Sequence, residues 1–279
     1  MLDSLLLVGI GLLGGSVGMA VRRRGVARRV IGVDRKWAVL NTAKQLGVID
    51  EGTTNLEEAI ANTKFVVFCT PVDTIVDLGR SVAEHCSPGT TLTDVGSTKR
   101  KIMAELAGVF PDGVDFVGSH PLAGSEKKGV EHSNPELFQD RLTIVVPDET
   151  APVETIEQVS GFWKAIGSRI RVMAADDHDE ALALTSHLPH LVASALAGIL
   201  PSEYYELAAG GFRDTTRIAA SSPTIWKGIF QHNRDTVLAG IACLEKRIGQ
   251  FREALERQDE ERLSELLSEG KKVRDALGN

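Results

Sequence analysis

Cysteine is scarce in this chain of 279 residues, and its few thiols are far apart. Cys69, Cys86 and Cys243 form no CxxC pair, which excludes a disulfide scaffold and a cysteine-rich zinc site. Thiols that stay unpaired are typical of the reducing cytoplasm. We therefore expect a cytoplasmic location.

An excess of positive charge is also missing. The 31 Lys and Arg residues are outnumbered by 38 Asp and Glu residues, which leaves a net charge of −7. Proteins that bind nucleic acid normally carry a basic stripe that neutralises phosphates. We expect no nucleic-acid partner.

An uncharged stretch near the N-terminus, Leu5–Val21, does not have the pattern of a signal peptide. Asp3 precedes it and three arginines from Arg22 onward follow it, which reverses the charge order of a secretory signal. Glycines interrupt the stretch, and each weakens a helix by roughly 1 kcal/mol. We interpret it as a buried strand that leads into a helix, and we expect no membrane association.

Short apolar runs alternate with amphipathic stretches as far as about residue 172. Because the runs are continuous and lie between helix-like segments, they predict a parallel sheet with helices on both faces. The predicted strands are Leu5–Val8, Val30–Val33, Phe65–Cys69, Thr90–Thr93, Phe116–Gly118, Leu142–Val146 and Arg169–Val172. The predicted helices are Leu12–Arg24, Ala38–Gln45, Ile75–His85, Arg100–Leu106 and Glu154–Ile166.

The pattern changes after Asp176, where apolar residues recur at helical spacing only. Helices are predicted over Ala181–Leu200, Pro223–Arg247 and Leu255–Leu277. The length also favours about two domains. We predict an α/β fold with a doubly wound, mostly parallel sheet over residues 1–175, followed by an all-helical domain over residues 176–279.

A glycine pattern follows the first predicted strand. Gly9, Gly11 and Gly14 read GxGxxG between a strand and a helix, as in Rossmann-like dinucleotide-binding domains. Gly9 permits the tight turn, Gly11 lets the backbone approach a pyrophosphate, and Gly14 lets the helix pack on the strand. The backbone of Leu12 and Leu13, in the first turn of the helix, would face the phosphates.

Asp34 ends the second predicted strand, twenty residues after Gly14. A carboxylate there accepts hydrogen bonds from a ribose and repels a 2′-phosphate, so it favours NAD over NADP. Arg35 could instead pair with that phosphate, which leaves NADP open. Thr70 and Pro71 follow the third predicted strand and are further candidates for cofactor binding, since ligands bind at the carboxyl ends of parallel strands.

Two polar residues stand out near later strand ends. His120 ends a strand and precedes a proline, and a neutral histidine beside the cofactor suits a general base. Ser97 lies in the loop after the fourth strand and would be a second site residue. Ser97 could equally be the N-cap of the helix that begins near Lys99.

The helical part contributes four more candidates. His187 and His190 lie on one helical face, but nothing nearby completes a metal site, and we predict no metal. The preceding acidic cluster, from Asp176 to Asp179, is interpreted as a helix start. Arg213 and Arg217, four residues apart, could hold an anionic substrate.

These segments, in this order, resemble the prephenate/arogenate dehydrogenase family. The resemblance covers nearly the whole chain and is carried by GIGLLGGS, DVGSTK, GSHPLAGSEKKG, SHLPH, GFRDTTR and SSPTIWKGIFQHN. It implies a Rossmann-like N-terminal domain and a helical C-terminal domain that forms a homodimer.

The resemblance also implies an activity, the NAD-dependent oxidative decarboxylation of prephenate to 4-hydroxyphenylpyruvate in tyrosine biosynthesis. His120 would take the proton of the ring hydroxyl, and Ser97 would orient His120 and touch the nicotinamide end. Arg217 with His190 would hold the carboxylates of this small dicarboxylate. By the same resemblance Arg213 and His187 are weaker substrate-binding candidates, and Glu126 is a candidate gate on access.

Two other functions remain open at this point, and a third explains less of the sequence. Arogenate dehydrogenase performs the same reaction on a substrate with an amino group in place of the side-chain keto group. A β-hydroxyacid dehydrogenase would not explain the GSHPLAG and SHLPH segments together. A non-catalytic, NAD-sensing dimeric regulator is the alternative from another class.

Overall fold

The structure is a computed structural model that describes residues 1–125 and 127–278. The candidate gate residue Glu126 therefore lies outside the described residues. The chain divides into two units, Met1–Arg234 and Asp235–Asn279. The boundary predicted near residue 175 falls within the first unit.

A parallel sheet forms the centre of the first unit. Its strands follow the order β3-β2-β1-β4-β5-β6, and every neighbouring pair is parallel. These strands are β1 (Leu2–Val8), β2 (Ala27–Val33), β3 (Glu51–Thr53), β4 (Phe65–Phe68), β5 (Thr90–Asp94) and β6 (Val114–Phe116). The predicted doubly wound sheet is confirmed, and the short β3 is an addition to the prediction.

Helices follow these strands and are α1 (Leu12–Arg24), α2 (Trp37–Gln45), α3 (Leu56–Ala61), α4 (Val72–Val82) and α5 (Arg100–Leu106). Side chains alternate between the two faces of the sheet along each strand, and both faces are buried. Leu5 and Leu7 of β1 belong to one hydrophobic cluster, whereas Leu6 and Val8 belong to the other. This two-sided burial is the reason that the strands read as continuous apolar runs.

The predicted strand Phe116–Gly118 is wrong as a single element. The chain breaks it at Val117 and begins a second sheet with β7 (Gly118–Pro121), β8 (Leu142–Val146) and β9 (Arg169–Val172). β7 pairs antiparallel with β8, and β8 pairs parallel with β9 across helix α6 (Val153–Ala165).

Side chains join β7 to the central sheet. The Ser119 amide donates to Asp94 Oδ1 over 2.9 Å, and Ser119 Oγ lies 2.6 Å from Thr93 Oγ1. The indole N–H of Trp163, on α6, also donates to Ser119 Oγ at 3.0 Å. Ser119 thus holds β7, and its neighbour His120, against the carboxyl end of β5.

From Ala175 onward the described residues form helices, as predicted. In the first unit they are α7 (Ala175–Leu182), α8 (Leu188–Gly198), α9 (Gly210–Thr216) and α10 (Pro223–His232). A π-helical turn, Ala183–His187, joins α7 to α8, so the predicted helix Ala181–Leu200 is helical throughout but contains a wider turn and ends at Gly198. Short 3₁₀ turns cover Ser202–Leu207 and Arg217–Ala220.

Asn233 interrupts the predicted helix Pro223–Arg247, and the next helix, α11 (Arg234–Glu256), begins directly after it. The Asn233 amide donates to the carbonyl oxygen of Asp179 at 2.7 Å and lies 3.1 Å from His187 Nδ1. The buried Asn233 side chain thus satisfies a buried carbonyl group at the junction of the two helices.

The second unit is a helical pair made by most of α11 and by α12 (Glu260–Ala276). Arg247 joins the two helices, because it donates to the carbonyl oxygen of Leu266 and to the Glu269 carboxylate. Asp259 caps α12 by accepting the Arg262 amide at 2.9 Å. Across the described residues, no helix has the length and apolar character to cross a membrane.

Trp163 provides a test of the packing between the two sheets. Its side chain is 0% exposed and packs edge-on against Phe138 and Phe162. We expect Trp163→Ala to lower the free energy of unfolding by about 3–5 kcal/mol, through lost burial and a cavity. Urea denaturation followed by circular dichroism measures this.

The matched control is Trp37→Ala, since Trp37 is 56% exposed. We expect this change to alter stability by less than about 0.5 kcal/mol. Equal unfolding midpoints for the two variants would contradict the packing role of Trp163.

Candidate functional site

The glycine loop has the geometry that the sequence predicts for a dinucleotide site. Gly9 has a φ of +93°, and a Cβ added to it would lie 2.8 Å from Thr70 Cγ2. A Cβ on Gly14 would collide with the carbonyl oxygen of Gly9, so α1 packs on the strand as closely as glycine allows. A Cβ on Gly11 would meet nothing within 4 Å, which leaves open space at the N-terminus of α1.

The other cofactor-binding candidates of the sequence interpretation lie around this loop. Asp34, at the end of β2, accepts the Ile10 amide at 3.2 Å and the Lys36 amide at 3.0 Å. Thr70 and Pro71 follow β4 and flank the start of α4, while Arg35 is exposed beside Asp34. The carboxyl ends of β1, β2 and β4 therefore bring these residues together.

A cavity of about 620 Å³ adjoins the end of β7. It includes four of the predicted catalytic and substrate-binding residues, which are Ser97, His120, His190 and Arg217. Lys127 and Lys128, which the sequence interpretation did not single out, also line it. The cavity wall thus contains several cationic side chains in a chain whose net charge is negative.

His120 lies at the cavity wall with only 8% of its surface exposed. Burial, assisted by the nearby His178, Lys99 and His187, holds the pKa of His120 well below 6.5. The ring is therefore neutral at pH 7. Its Nδ1 lies 2.9 Å from Nε2 of His178, so that nitrogen is engaged by a protein partner.

His178 and Asp179 are packed behind His120, and both are fully buried. His178 Nδ1 lies 2.8 Å from Asp179 Oδ1. Burial lowers the pKa of His178, although its hydrogen bond to Asp179 opposes this shift. Burial raises the pKa of Asp179, but hydrogen bonds from His178 and from two backbone amides outweigh it, and the pKa is lowered.

The two amides that Asp179 binds belong to the start of α5. The Lys99 amide donates to Asp179 Oδ1 at 2.8 Å, and the Arg100 amide donates to Oδ2 at 3.1 Å. The interpretation of Ser97 as the N-cap of this helix is wrong, because Lys99 holds the N-cap position and Asp179 supplies the acceptor. Likewise Asp179 caps α5 and not its own helix α7, whose N-cap is Ala174.

A buried ion pair supports the same loop. Lys99 Nζ bonds to Asp94 Oδ2, and both side chains are fully buried. Asp94 also accepts the Gly96 amide at 2.7 Å and, as described above, the Ser119 amide. Asp94 therefore fixes both the loop that holds Ser97 and the strand that holds His120.

His190 lines the cavity and stacks on an aromatic ring that also lines it. Its ring centroid lies 3.6 Å from that of Trp226, with an interplanar angle of 23°. Burial lowers the pKa of His190 to about 4, and the nearby Arg217 acts in the same direction. Arg217 lies in the 3₁₀ turn after α9, where its side chain is exposed at the cavity.

Two of the weaker candidates occupy other positions. His187 is fully buried beside Asn233 and contacts Trp226 edge-on, with ring centroids 6.1 Å apart. Arg213 is exposed and donates from Nε to the carbonyl oxygen of Ala208 at 2.8 Å. Among the described residues that line the cavity, neither His187 nor Arg213 is present.

The hydrogen-bond partner of His120 is also different from the one expected. The resemblance implies that Ser97 orients His120, yet within the described residues no hydrogen bond joins the two, and His178 takes that place. Sequence reasoning missed His178, Asp179, Asp94 and Lys99. The adjacent pair His178–Asp179 was the one local pattern that could have indicated a hydrogen-bonded site, but its partners lie some sixty to eighty residues away in the chain.

Family models and curated relatives match this chain over nearly its whole length. Residues 17–172 match the family model described as "Prephenate dehydrogenase, nucleotide-binding domain", and residues 174–269 match "Prephenate dehydrogenase, dimerization domain". The prephenate dehydrogenase of Bacillus subtilis is 35% identical, over 99% of this chain and 76% of that protein. The cyclohexadienyl dehydrogenase of Zymomonas mobilis is 33% identical, over 97% of this chain and 94% of that protein.

A solved structure is similar over the same length. The crystal structure of prephenate dehydrogenase from Aquifex aeolicus, in complex with hydroxyphenyl propionate and NAD⁺, has a TM-score of 0.92 to this chain. The two are 33% identical, and the match covers 99% of each chain.

The buried histidines make stability depend on pH, and His187 offers a clean test. Burial lowers its pKa from 6.5 to about 4, so the unfolded chain binds this proton more readily between those values. The stabilisation is complete above pH 6.5 and is lost as the pH falls. From pH 7 to pH 5 this histidine should contribute a loss of about 2 kcal/mol.

We expect His187→Asn to lose correspondingly less stability than the wild type between pH 7 and pH 5, as measured by urea denaturation. His85→Asn is the control, because His85 is exposed and pairs only with Glu57 among the described ion pairs. A pH dependence of His187→Asn identical to that of the wild type would contradict a buried, neutral His187.

Proposed function

This chain belongs to the prephenate dehydrogenase family, and on that premise we propose that it converts prephenate to 4-hydroxyphenylpyruvate by NAD-dependent oxidative decarboxylation. The enzyme is an oxidoreductase of tyrosine biosynthesis. One observation carries the proposal most directly. A neutral, nearly buried histidine, His120, lines a cavity with cationic walls, and one of its ring nitrogens has no protein partner among the described residues.

The glycine loop fits NAD. The open space beside Gly11 lets a pyrophosphate approach the backbone of Leu12 and Leu13, where the dipole of α1 favours negative charge. Asp34 would bind the ribose hydroxyls and repel the 2′-phosphate of NADP. Thr70 and Pro71 would form the adjoining wall, with Arg35 outside it. When bound, NAD supplies the acceptor for the hydride.

His120 acts as the general base in this proposal. The hydroxyl group of the substrate ring loses its proton to the free Nε2 of His120 as the carbon that bears this group is oxidised. The ring carboxylate then leaves as CO₂, and its bonding electrons complete the aromatic ring. The ring oxygen takes a proton back, which gives the hydroxyl group of 4-hydroxyphenylpyruvate and restores neutral His120. A base must be unprotonated at the working pH, and the low pKa of buried His120 meets this condition.

Arg217 and His190 bind the substrate in this proposal. Prephenate has two carboxylates, and the exposed guanidinium group of Arg217 can pair with one of them in a bidentate manner. Neutral His190, held by its stack on Trp226, offers a hydrogen bond and no charge. We propose Ser97 as a further contact near the nicotinamide end, and retain Arg213, His187 and Glu126 as weaker substrate candidates.

We further propose a homodimer formed through the helical part of the chain. The family model for residues 174–269 supports this, as do large exposed apolar side chains such as Ile199, Tyr205 and Leu207. The same pair of family models supports the functional boundary near residue 175. The free thiols of the chain are consistent with a cytoplasmic enzyme.

The first prediction of this proposal concerns His120. With prephenate and NAD, His120→Asn should lower kcat by about 10²–10⁴-fold and change KM little, because the base acts mainly in the transition state. NADH absorbance measures the rate. Arogenate is assayed in parallel, and a higher kcat/KM for arogenate would show that arogenate, and not prephenate, is the preferred substrate.

His85→Asn, an exposed substitution away from the cavity, is the control for His120→Asn. An unchanged kcat in His120→Asn would remove His120 from the chemistry. If the wild type binds NAD tightly and turns over neither substrate, the chain is a sensor and the proposal is wrong.

The second prediction concerns Arg217. Arg217→Ala should raise the KM for prephenate by about 10-fold to 100-fold, as expected for loss of a hydrogen-bonded charge. The KM for NAD should stay the same. Arg28→Ala, which removes an exposed arginine paired with Asp3, is the matched control. A KM for prephenate that does not move would exclude the carboxylate role.

A further inference from the structure

We propose that His178 and Asp179 are positioning residues that set which ring nitrogen of His120 carries the hydrogen. Both are fully buried, and they form a continuous chain of hydrogen bonds from His120 to the N-terminus of α5. The inference rests on the proposed role of His120 as the base. In the enzyme before proton transfer, the two residues keep one nitrogen of that base free of hydrogen.

The chain of bonds is fixed from its far end. Asp179 accepts the amides of Lys99 and Arg100, and each amide can only donate. These two bonds favour the ionised carboxylate and hold it in one orientation. Asp179 is therefore an acceptor that does not reverse its role.

The hydrogen positions of both histidines follow in turn. An ionised carboxylate only accepts, so His178 Nδ1, 2.8 Å from Asp179 Oδ1, must carry the hydrogen. Neutral His178 then has a bare Nε2, which accepts from His120 Nδ1 over 2.9 Å. Neutral His120 therefore carries its hydrogen on Nδ1, and Nε2 keeps the lone pair that accepts the substrate's proton.

Without this chain the base would lose much of its effect. A free neutral imidazole exchanges between two tautomers, and the one with hydrogen on Nε2 cannot accept a proton there. The chain also helps after proton transfer, because the His120 imidazolium donates a charge-assisted hydrogen bond to His178. The negative charge of Asp179 lies directly behind that bond.

The surroundings of His120 and His178 determine the charge of the two rings. Burial is the main reason that both histidines stay neutral, and the nearby Lys99 also disfavours a positive charge on them. Asp179 is the carboxylate in direct contact with His178. Orientation by hydrogen bonds to a neutral ring, and not a permanent ion pair with His120, is therefore what the geometry supports.

The direct test is nitrogen-15 NMR of the histidine rings in the wild-type protein without substrate. The chemical shifts of ring nitrogens distinguish those with hydrogen from those without, and the loss of a signal in His120→Asn assigns His120. We expect His120 to carry hydrogen on Nδ1 with a bare Nε2. A His120 ring with its hydrogen on Nε2 overturns the proposal.

His178→Gln tests the consequence for catalysis. The glutamine amide can reach the position of Nε2, but it has no second nitrogen for Asp179 to orient, so it can donate to His120 as readily as accept. We expect a mixture of His120 tautomers by NMR and a kcat lower by about 10-fold to 100-fold, smaller than complete loss of the base. The KM for prephenate and the binding of NAD should change little.

His85→Gln is the control, and the thermal midpoint of each variant separates misfolding from mispositioning. A normal kcat in folded His178→Gln, with the His120 tautomer unchanged, overturns the inference while the proposed function stands. If neither prephenate nor arogenate is turned over by the wild type, the function fails, and the tautomer measurement still decides the hydrogen-bond chain.

Discussion

The carboxylate of Asp179 is the constraint on which the rest of the site depends. It caps α5 through two backbone amides and binds His178, so it joins the loop after β5 to the helices that begin at Ala175. Lys99, His178 and Asp179 are fully buried, so water cannot replace a missing partner there. Loss of one acceptor would leave several donors unsatisfied, at a cost of about 1–3 kcal/mol for each group. A bond network of this kind allows few alternative arrangements.

Charge within the site is arranged differently from charge on the whole chain. The net charge is −7, yet Arg217, Lys127 and Lys128 line the cavity. Next to these cations, the histidines are neutral because burial penalises their charged forms. The site therefore separates two tasks. Cationic side chains attract an anionic substrate, and neutral imidazoles remain able to accept a proton or a hydrogen bond.

Most of the first sheet could be predicted from the sequence because its signals are local. Helices α1 and α5 have the predicted bounds, and GxGxxG with Asp34 located the turn at Gly9 and Gly14. The errors have physical causes. The short strand β3 and helix α3 contain too few residues for a periodic signal. The second sheet was hidden because Phe116–Gly118 reads as one apolar run, although the chain changes sheet at Val117.

The sequence by itself also determined several candidate residues, because motif spacing and predicted strand ends can be recognised from the order of residues. These candidates include His120, Ser97, His190 and Arg217. Only the tertiary structure decided the roles of His178, Asp179, Asp94 and Lys99, whose partners are mostly far along the chain. Asp179 illustrates the difference. Its position in the sequence suggested that it caps its own helix, α7, whereas its hydrogen bonds cap α5. Hydrogen bonds between distant segments depend on packing, and no periodicity in the sequence records them.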